Sequence, residues 1–438
     1  MTSLKKVNIG ICGLGTVGGG TFNVLTRNAE LINSRSGSDI RIVQVGSRRT
    51  NPACDLSGVG VTDDIFEVAA NPDVDVVVEL VGGTSIAFEL VLAAIENGKH
   101  VVTANKALIA QHGNEIFEAA HKKSVMVAFE AAVAGGIPII KTLREGLGAN
   151  RIEWLAGIIN GTGNYILTAM EEQGRKFEDA LEEAKALGYA EADPTFDVEG
   201  IDAAHKLVIL ASLAFGIPLQ FDKVFTEGIG KLDLQDVAYA RELGFRIKHL
   251  GIARQVGKGV EVRVHPTLIP ANSLVAEVDG VMNAIMVKGD AVGPTMFYGA
   301  GAGDEPTASA VVADIIDVAR ALNCAPEARV PYLAFNTAEF SDTPVLPIED
   351  VETAYYLRMR ALDRPGVLTQ VASIMSDRGI SIEAIIQKRP QSGQDHVPLI
   401  MLTNKAREGE LMAAARDVEK LDAIDGDVIH LRVEYLDR

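Results

Sequence analysis

The residues best equipped for chemistry lie in one stretch, Ala184 to Lys206, AKALGYAEADPTFDVEGIDAAHK. It gathers five carboxylates (Glu191, Asp193, Asp197, Glu199, Asp202) and two lysines (Lys185, Lys206) around Gly188, Pro194 and Gly200. Gly188 closes the helical AKAL segment, and Asp193-Pro194 forces an extended or turning backbone. A second helix opens near Gly200 and carries Asp202 and Lys206 four residues apart, hence on one face. It runs into KLVILASLAF, an apolar stretch that belongs in a core. A carboxylate and an ammonium at the mouth of a buried helix, faced by a loop of carboxylates, suit an amino-acid-shaped substrate. On residue types alone, a solvated i,i+4 ion pair beside a loop reads the same way.

A second constellation stands near the start. Val7 to Ile11 reads as a β-branched strand, followed by Gly13-Leu14-Gly15-Thr16-Val17-Gly18 and a helix from about Thr16 to Asn33. GxGxxG between a strand and a helix is the dinucleotide fingerprint, since the glycines let a pyrophosphate approach the helix N-terminus. The next strand, IRIVQVG, ends in Ser47-Arg48-Arg49. An acid there would bind the ribose 2′-hydroxyl of NAD, whereas arginines can hold a 2′-phosphate, so NADP(H) is expected over NAD(H). VDVVVELVGG and KHVVTANKALIA, each with a following helix, imply a parallel, doubly wound sheet. Gly82, Gly83, Thr84 and Thr103-Ala104-Asn105-Lys106 fall at the carboxyl ends of its strands, where ligands bind. Lys106 precedes the apolar ALIA, which directs its ammonium to the cleft; as a bare lysine it would be a surface residue.

Elements must position these groups. VMVAFEAAVAGGIPIIKTL sets Glu130 in an apolar run, where a carboxylate needs a partner or a cation. The glycines and Pro138 break that strand and leave backbone carbonyls; a salt bridge to a domain neighbour is the alternative to an ion. IEWLAGIINGTGNYILTAM reads as strand, turn at 160–164, then helix. EVRVHPTLIP, LVAEVDGVMNAIMVKG and GPTMFYGAGAG read as strands of a mixed sheet with the substrate region and a subunit contact. The Gly299–Thr307 segment, with Gly303 and Glu305, is a second glycine-rich loop before a helix and favours an anion or cofactor. SDTPVLPIED reads as a linker. Beyond it, YYLRMRAL, VLTQVASIMSDRG, ISIEAIIQKR, HVPLIMLTN, GELMAAARDVEKL and VIHLRVEYL give the order βαββαβ, a ferredoxin-like unit. Amides at the start of its first helix offer a seat for an α-carboxylate; a ligand-free dimerisation module has the same order.

At 438 residues the chain has room for two or three domains. Its 41 basic and 59 acidic residues give −18, which works against nucleic-acid and anionic-membrane partners. No apolar run reaches the roughly 18 residues of a membrane span. The start, MTSLKKVNIGICGLG, enters a strand at once and leaves no room for a signal peptide. Cys12, Cys54 and Cys324 lack metal or redox spacing and fit a reducing cytoplasm.

Ala184, Gly188, Tyr189, Asp193, Pro194, Asp197, Gly200, Asp202 and Lys206 resemble, without a gap, the signature of the homoserine dehydrogenase family. The NGTGN segment also resembles it, and the DRPGVL turn looks like an ACT domain. The resemblance covers essentially the whole chain, in the monofunctional form with a C-terminal ACT module. It implies NAD(P)H-dependent, reversible reduction of L-aspartate 4-semialdehyde to L-homoserine in threonine, methionine and isoleucine biosynthesis, with threonine as feedback effector at the ACT module. It implies that Lys206 gives a proton to the alkoxide, Lys106 assists, and Glu191 and Asp202 hold the substrate beside Gly188 and Tyr189. A lysine acting so needs a depressed pKa. Cofactor contacts fall on Gly13, Leu14, Gly15, Thr16, Val17, Gly18, Arg48, Arg49, Thr84, Lys106, Gly188, Gly303 and Glu305. A monovalent cation, sodium or potassium, falls on Glu130, Val133, Gly135 and Ile137. The domains expected are a nucleotide-binding Rossmann domain over 1–132, completed by 300–340, and a substrate domain over 133–299. A linker over 341–352 and an ACT domain over 353–438 follow, in a homo-oligomer, dimer or tetramer. Two rivals remain: a phosphorylating semialdehyde dehydrogenase, which needs an activated thiolate, and a non-enzymatic nucleotide- and amino-acid-binding regulator.

Overall fold

The computed structural model describes residues 4–322, 324–336, 339–387 and 395–436. The chain opens with β1 (Lys5–Cys12) and α1 (Thr16–Arg27). The helix expected to reach Asn33 breaks at Asn28, whose φ of −107° and ψ of 19° leave the helical region, and restarts as α2 (Ala29–Ser36). Asparagine competes with the helical backbone for hydrogen bonds, which suits it to that break. Next come β2 (Ser38–Gly46), β3 (Gly60–Thr62), α3 (Ile65–Ala70), β4 (Val76–Glu79), α4 (Ser85–Glu96), β5 (His100–Thr103), α5 (Lys106–Lys123) and β6 (Val127–Ala128). The apolar run around Glu130 is strand only in β6; Gly135, Gly136 and Pro138 then turn it into the short α6 (Ile139–Lys141). There follow β7 (Ile152–Ile158), α7 (Gly161–Gln173), α8 (Phe177–Ala186), α9 (Thr195–Val198), α10 (Ile201–Phe215), β8 (Phe225–Thr226) and α11 (Leu234–Glu242). The chain continues through β9 (Phe245–Val256), β10 (Gly259–Pro270), β11 (Met282–Gly289), β12 (Gly293–Ala300) and α12 (Asp304–Ala321). The last elements are β13 (Glu352–Leu362), α13 (Val367–Asp377), β14 (Ile382–Gln387), β15 (His396–Thr403), β16 (Ala406–Arg407), α14 (Glu408–Glu419) and β17 (Ile424–Val433). Lys388 and Arg389, read as the end of a strand, lie outside the described residues.

These elements form two compact units. The first comprises Met1–Leu155, Asp202–Asp222 and Met282–Thr343. Its sheet is parallel throughout, in the order β3-β2-β1-β4-β5-β6. That is the strand order of a dinucleotide-binding fold, with its switch point between β1 and β4. Val7, Ile9 and Ile11 of β1 and Val76 and Val78 of β4 are fully buried, as strands covered on both faces must be. Phe22 and Leu25 of α1 and Ala308, Val311 and Ile315 of α12 join the same core. A Cβ on Gly20 would stand 2.8 Å from the Asp304 carbonyl oxygen, so α1 and α12 pack at glycine distance.

The second unit comprises Ala156–Ile201, Lys223–Val281 and Pro344–Arg438. Long β9 and β10 pair antiparallel, and β17 joins β10 in parallel at Thr267–Arg432 and Leu268–Val433. The order β17-β13-β15-β14 is the antiparallel sheet that a βαββαβ chain makes. β9 and β10 continue this sheet through β17, so on one face Ile247 and Leu268 share a core with Tyr356, Ile400, Leu431 and Val433. The other is covered by Val367, Val371 and Met375 of α13 and Leu411, Ala414 and Val418 of α14. Part of the segment read as a linker lies along β10, with Val260 N–H donating to the Pro344 carbonyl and Leu346 N–H to that of Val260.

Candidate active site

Helix α10 carries an acid in its first turn, where the helix dipole favours one. Asp202 and Lys206 are only 5% and 9% exposed, so the pair is not solvated. Asp202 Oδ2 lies 2.7 Å from Lys206 Nζ, and Oδ1 lies 3.0 Å from Lys106 Nζ. One carboxylate therefore holds two ammonium groups, one per oxygen. Lys106 opens α5, the end where the dipole disfavours a cation, so its place there is a functional signal more than a stabilising one. His205 stacks on Phe221 with centroids 4.3 Å apart, and its Nε2 lies 3.3 Å from Gln111 Nε2. Burial pushes this imidazole down to about 4; Asp202 opposes the shift, and Lys106 and Lys206 add to it. His205 is thus neutral at neutral pH, which leaves the lysines as the cluster's cations.

Local structure at the carboxyl ends of β4 and β5 sets Lys106. Asn105 caps α5 by accepting from Leu108 N–H at 3.1 Å, while its Nδ2 donates to the Gly83 carbonyl at 2.6 Å. Thr103 Oγ1 accepts from Asn105 N–H at 3.0 Å and donates to Glu79 at 2.6 Å. Neither Glu79 nor the His205, Gln111 and Phe221 group was singled out by sequence. A carboxylate closing the valine strand VVVE is the signal that would have found Glu79. Gly82 and Gly83, both at φ 73°, lead to Thr84 at the N-cap of α4.

At the front of the sheet Gly13 adopts φ 100° and its N–H donates to the Gly46 carbonyl at 2.8 Å, tying the glycine loop to the end of β2. Gly18 sits against the Gly13 carbonyl, where a side chain has no room. Gly15 caps α1 without a side-chain cap, and a Cβ there would meet nothing within 4 Å. The first turn bears no acid, so the positive end of the helix is left uncompensated beside the open space at Gly15. Those features fit a pyrophosphate. Leu14 is buried and takes a hydrogen bond from Asn51 Nδ2 on its carbonyl, whereas Arg48 and Arg49 are exposed just past β2. Gly303, at φ 125°, caps α12, and Glu305 in that helix's first turn pairs with Arg27 at 2.6 Å.

Glu130 is 4% exposed, and its two oxygens accept from Ile140 and Lys141 N–H at 2.9 and 2.7 Å. Its own N–H donates to Asp314, which burial, then the charge of Glu130, pushes well above the carboxylate range. Between Val133 and Ile137, Ala134 and Gly135 take left-handed φ values of 56° and 50°, which rotates their carbonyls out of the strand direction. A carboxylate with nearby carbonyls is an oxygen donor set that fits a hard cation. Among the described residues no group of three or more His, Cys, Asp or Glu side chains is arranged to hold a metal. In the second unit, Glu191 and Gly188 are exposed, and Tyr189 is 43% exposed, its ring 5.1 Å from that of Tyr165. Thr162 donates to the Tyr189 carbonyl at 2.6 Å, and Asn160, the cap of α7, donates to Asp197 at 2.7 Å. Burial, then Glu79, pushes the Cys12 thiol far up, and burial raises Cys54, so neither of these two is poised as the thiolate the rival needs. No helix among the described residues is long and apolar enough to cross a membrane.

A doubly wound sheet with a glycine-rich nucleotide loop, and lysines gathered on one buried acid, define a pyridine-nucleotide oxidoreductase. The chain belongs to the homoserine dehydrogenase family, and so is an oxidoreductase acting on a CH–OH group. The family model described as homoserine dehydrogenase matches residues 138–316, that of its NAD binding domain 13–130, and that of the ACT domain 355–420. The chain is 64% identical to the homoserine dehydrogenase of Pseudomonas aeruginosa, over 99% of this chain and 100% of that one. It is 54% identical to that of Neisseria gonorrhoeae, over 99% and 100%. A crystal structure of a homoserine dehydrogenase from Thiobacillus denitrificans superposes with a TM-score of 0.95 at 58% identity, covering 100% of each chain. A hyperthermophilic archaeal homoserine dehydrogenase in complex with NADPH gives 0.61 at 26% identity, over 72% of this chain and 97% of that one.

Proposed function

We propose that this homoserine dehydrogenase interconverts L-aspartate 4-semialdehyde and L-homoserine with NADP(H) in preference to NAD(H), and that Lys206 handles the proton. The observation that carries the reading is Asp202 holding Lys106 and Lys206 on its two oxygens. A bound nicotinamide supplies or accepts the hydride; the protein supplies position and charge. Lys206 donates to the alkoxide oxygen as it forms, and Lys106 stabilises the same negative charge. Asp202 fixes both ammonium groups; Asp202, Glu191, Gly188 and Tyr189 are the residues proposed to contact the substrate. Gly13, Leu14, Gly15, Thr16, Val17 and Gly18 take the pyrophosphate, Arg48 and Arg49 the 2′-phosphate, and Thr84, Gly188, Gly303 and Glu305 further parts of the nucleotide. Glu130 with the carbonyls of Val133, Gly135 and Ile137 would hold a sodium or potassium ion, which would brace that turn.

The ACT module carries a cavity of about 330 Å³ lined by Asp363, Arg364, Gly366, Val367, Gln387 and Leu399. It supports threonine as a feedback effector, its carboxylate at the start of α13. The assembly is a homo-oligomer, and the pathway is that of threonine, methionine and isoleucine. One set of initial rates tests the reading: homoserine oxidation with each cofactor, with and without threonine. Arg48→Ala combined with Arg49→Ala should weaken NADPH far more than NADH, and Asp363→Asn should relieve threonine inhibition while leaving turnover. Equal weakening of both cofactors, or inhibition unchanged by Asp363→Asn, would remove the respective assignment.

A further inference from the structure

Glu79 ends β4 and is fully buried. Neutral donors hold its carboxylate: Oε1 accepts from Val81 and Gly82 N–H at 3.0 and 3.3 Å, and Oε2 from the Thr103 hydroxyl at 2.6 Å. Burial raises its pKa, and these hydrogen bonds oppose the rise. A buried carboxylate is costly to keep, and here it serves two turns at once. Its first oxygen folds the 81–84 loop that leads to the cap of α4. Its second begins a chain that runs through Thr103 to Asn105 N–H; Asn105 then ties Gly83 to the cap of α5. The residue after Asn105 is Lys106.

We infer that Glu79 is a positioning residue of the reaction: it fixes the start of α5 so that the Lys106 ammonium meets Asp202. The inference rests on the proposed role of Lys106. The Val81 and Gly82 amides, the Thr103 hydroxyl and the Asn105 side chain all act on two acceptor oxygens, so an isosteric amide cannot replace the carboxylate. In Glu79→Gln the amide oxygen still serves Val81 and Gly82, but the NH2 confronts the Thr103 hydroxyl. That hydroxyl loses its acceptor, and the Thr103–Asn105 contact loosens with it.

The test is a double-mutant cycle on the full-length chain with Glu79→Gln, Lys106→Ala and both together. Glu79→Gln should lower kcat by about ten- to a hundredfold, the scale of a small misplacement of a catalytic group. Added to Lys106→Ala it should cause little further loss, because the group it positions is already gone. A residue that only stabilised the fold would give multiplicative losses. Wild-type kcat in Glu79→Gln, or full multiplication of the two effects, would overturn the inference. Native kcat in Lys106→Ala alone would instead overturn the role of that lysine. Should Glu79→Gln fail to fold, Thr103→Val breaks the same chain at its second link and decides by the same cycle.

Discussion

Asp202 governs how the two lysines behave. Without its charge, two ammonium groups would face each other at the mouth of a helix whose next residues are apolar and buried. Removing one partner of a buried, hydrogen-bonded ion pair costs about 3–5 kcal/mol because the other charge is left uncompensated. Asp202→Asn should therefore lower kcat and raise the KM for homoserine together, since both a ground-state contact and the lysine geometry go. Steady-state kinetics would check it, and an unchanged KM would deny Asp202 any contact with the substrate. The Asp202–Lys206 pairing was legible because i,i+4 spacing forces one helix face. The parts that reach across the chain were not: Glu79 and Thr103 are separated by 24 positions, and Gln111 and His205 by 94, with no local pattern linking either pair.

The strands of the ACT module do more than present a ligand cavity. Arg263 and Glu434 pair at 2.5 Å with both side chains at most 4% exposed, and Arg254 reaches Glu434 at 2.8 Å. Arg432 binds Glu408 and also Glu227, at 2.6 Å, while Asp236 of α11 takes Tyr356 at 3.0 Å and Arg358 at 2.6 Å. Cutting the chain after Asp342 would leave Arg263 with Glu261 alone, take Tyr356 and Arg358 from Asp236, and bare Ile247 and Leu268. We expect the truncated chain to lose cooperative unfolding of the second unit, so truncation cannot report on feedback alone. Arg263→Met in the full chain should cost about 3–5 kcal/mol in urea denaturation, since Glu434 and Glu261 stay buried. A loss under 1 kcal/mol, on the order expected of a surface pair, would show that the network is not structural. Apart from the two-residue β16, the elements of this module were legible from its βαββαβ order. Its union with β9 and β10 was not, because it depends on β10 pairing with β17, far along the chain, which no motif announces.

At the scale of the whole molecule the buried histidines set the acid limit. Burial pushes His100, His205 and His249 down to about 4 and His265 well below its ordinary value of 6.5. Unfolded histidines take a proton near 6.5 while the folded ones refuse it, so stability is fully present above 6.5 and is lost as pH falls towards 4. Tm measured from pH 7.5 to 4.5 should hold above 6.5 and decline steadily below it. A flat Tm across that window would mean that the imidazoles are protonated in the folded chain. The parallel, doubly wound character of the nucleotide-binding sheet was legible from the alternation of valine-rich strands with helices. The division into two units was not, since each is assembled from three separate stretches.

The central claim is that Lys206, held by Asp202, moves the proton of the reaction. The direct measurement is kcat of Lys206→Ala for homoserine oxidation, taken across pH beside NADPH affinity. Loss of positioned proton transfer should lower kcat by about 10²–10⁴. NADPH affinity should hold, because the glycine loop proposed to take the pyrophosphate is separate from α10, and the kcat profile should lose one ionisation. A Lys206→Ala enzyme with near-native kcat and an unchanged profile would contradict the account and transfer the proton to Lys106.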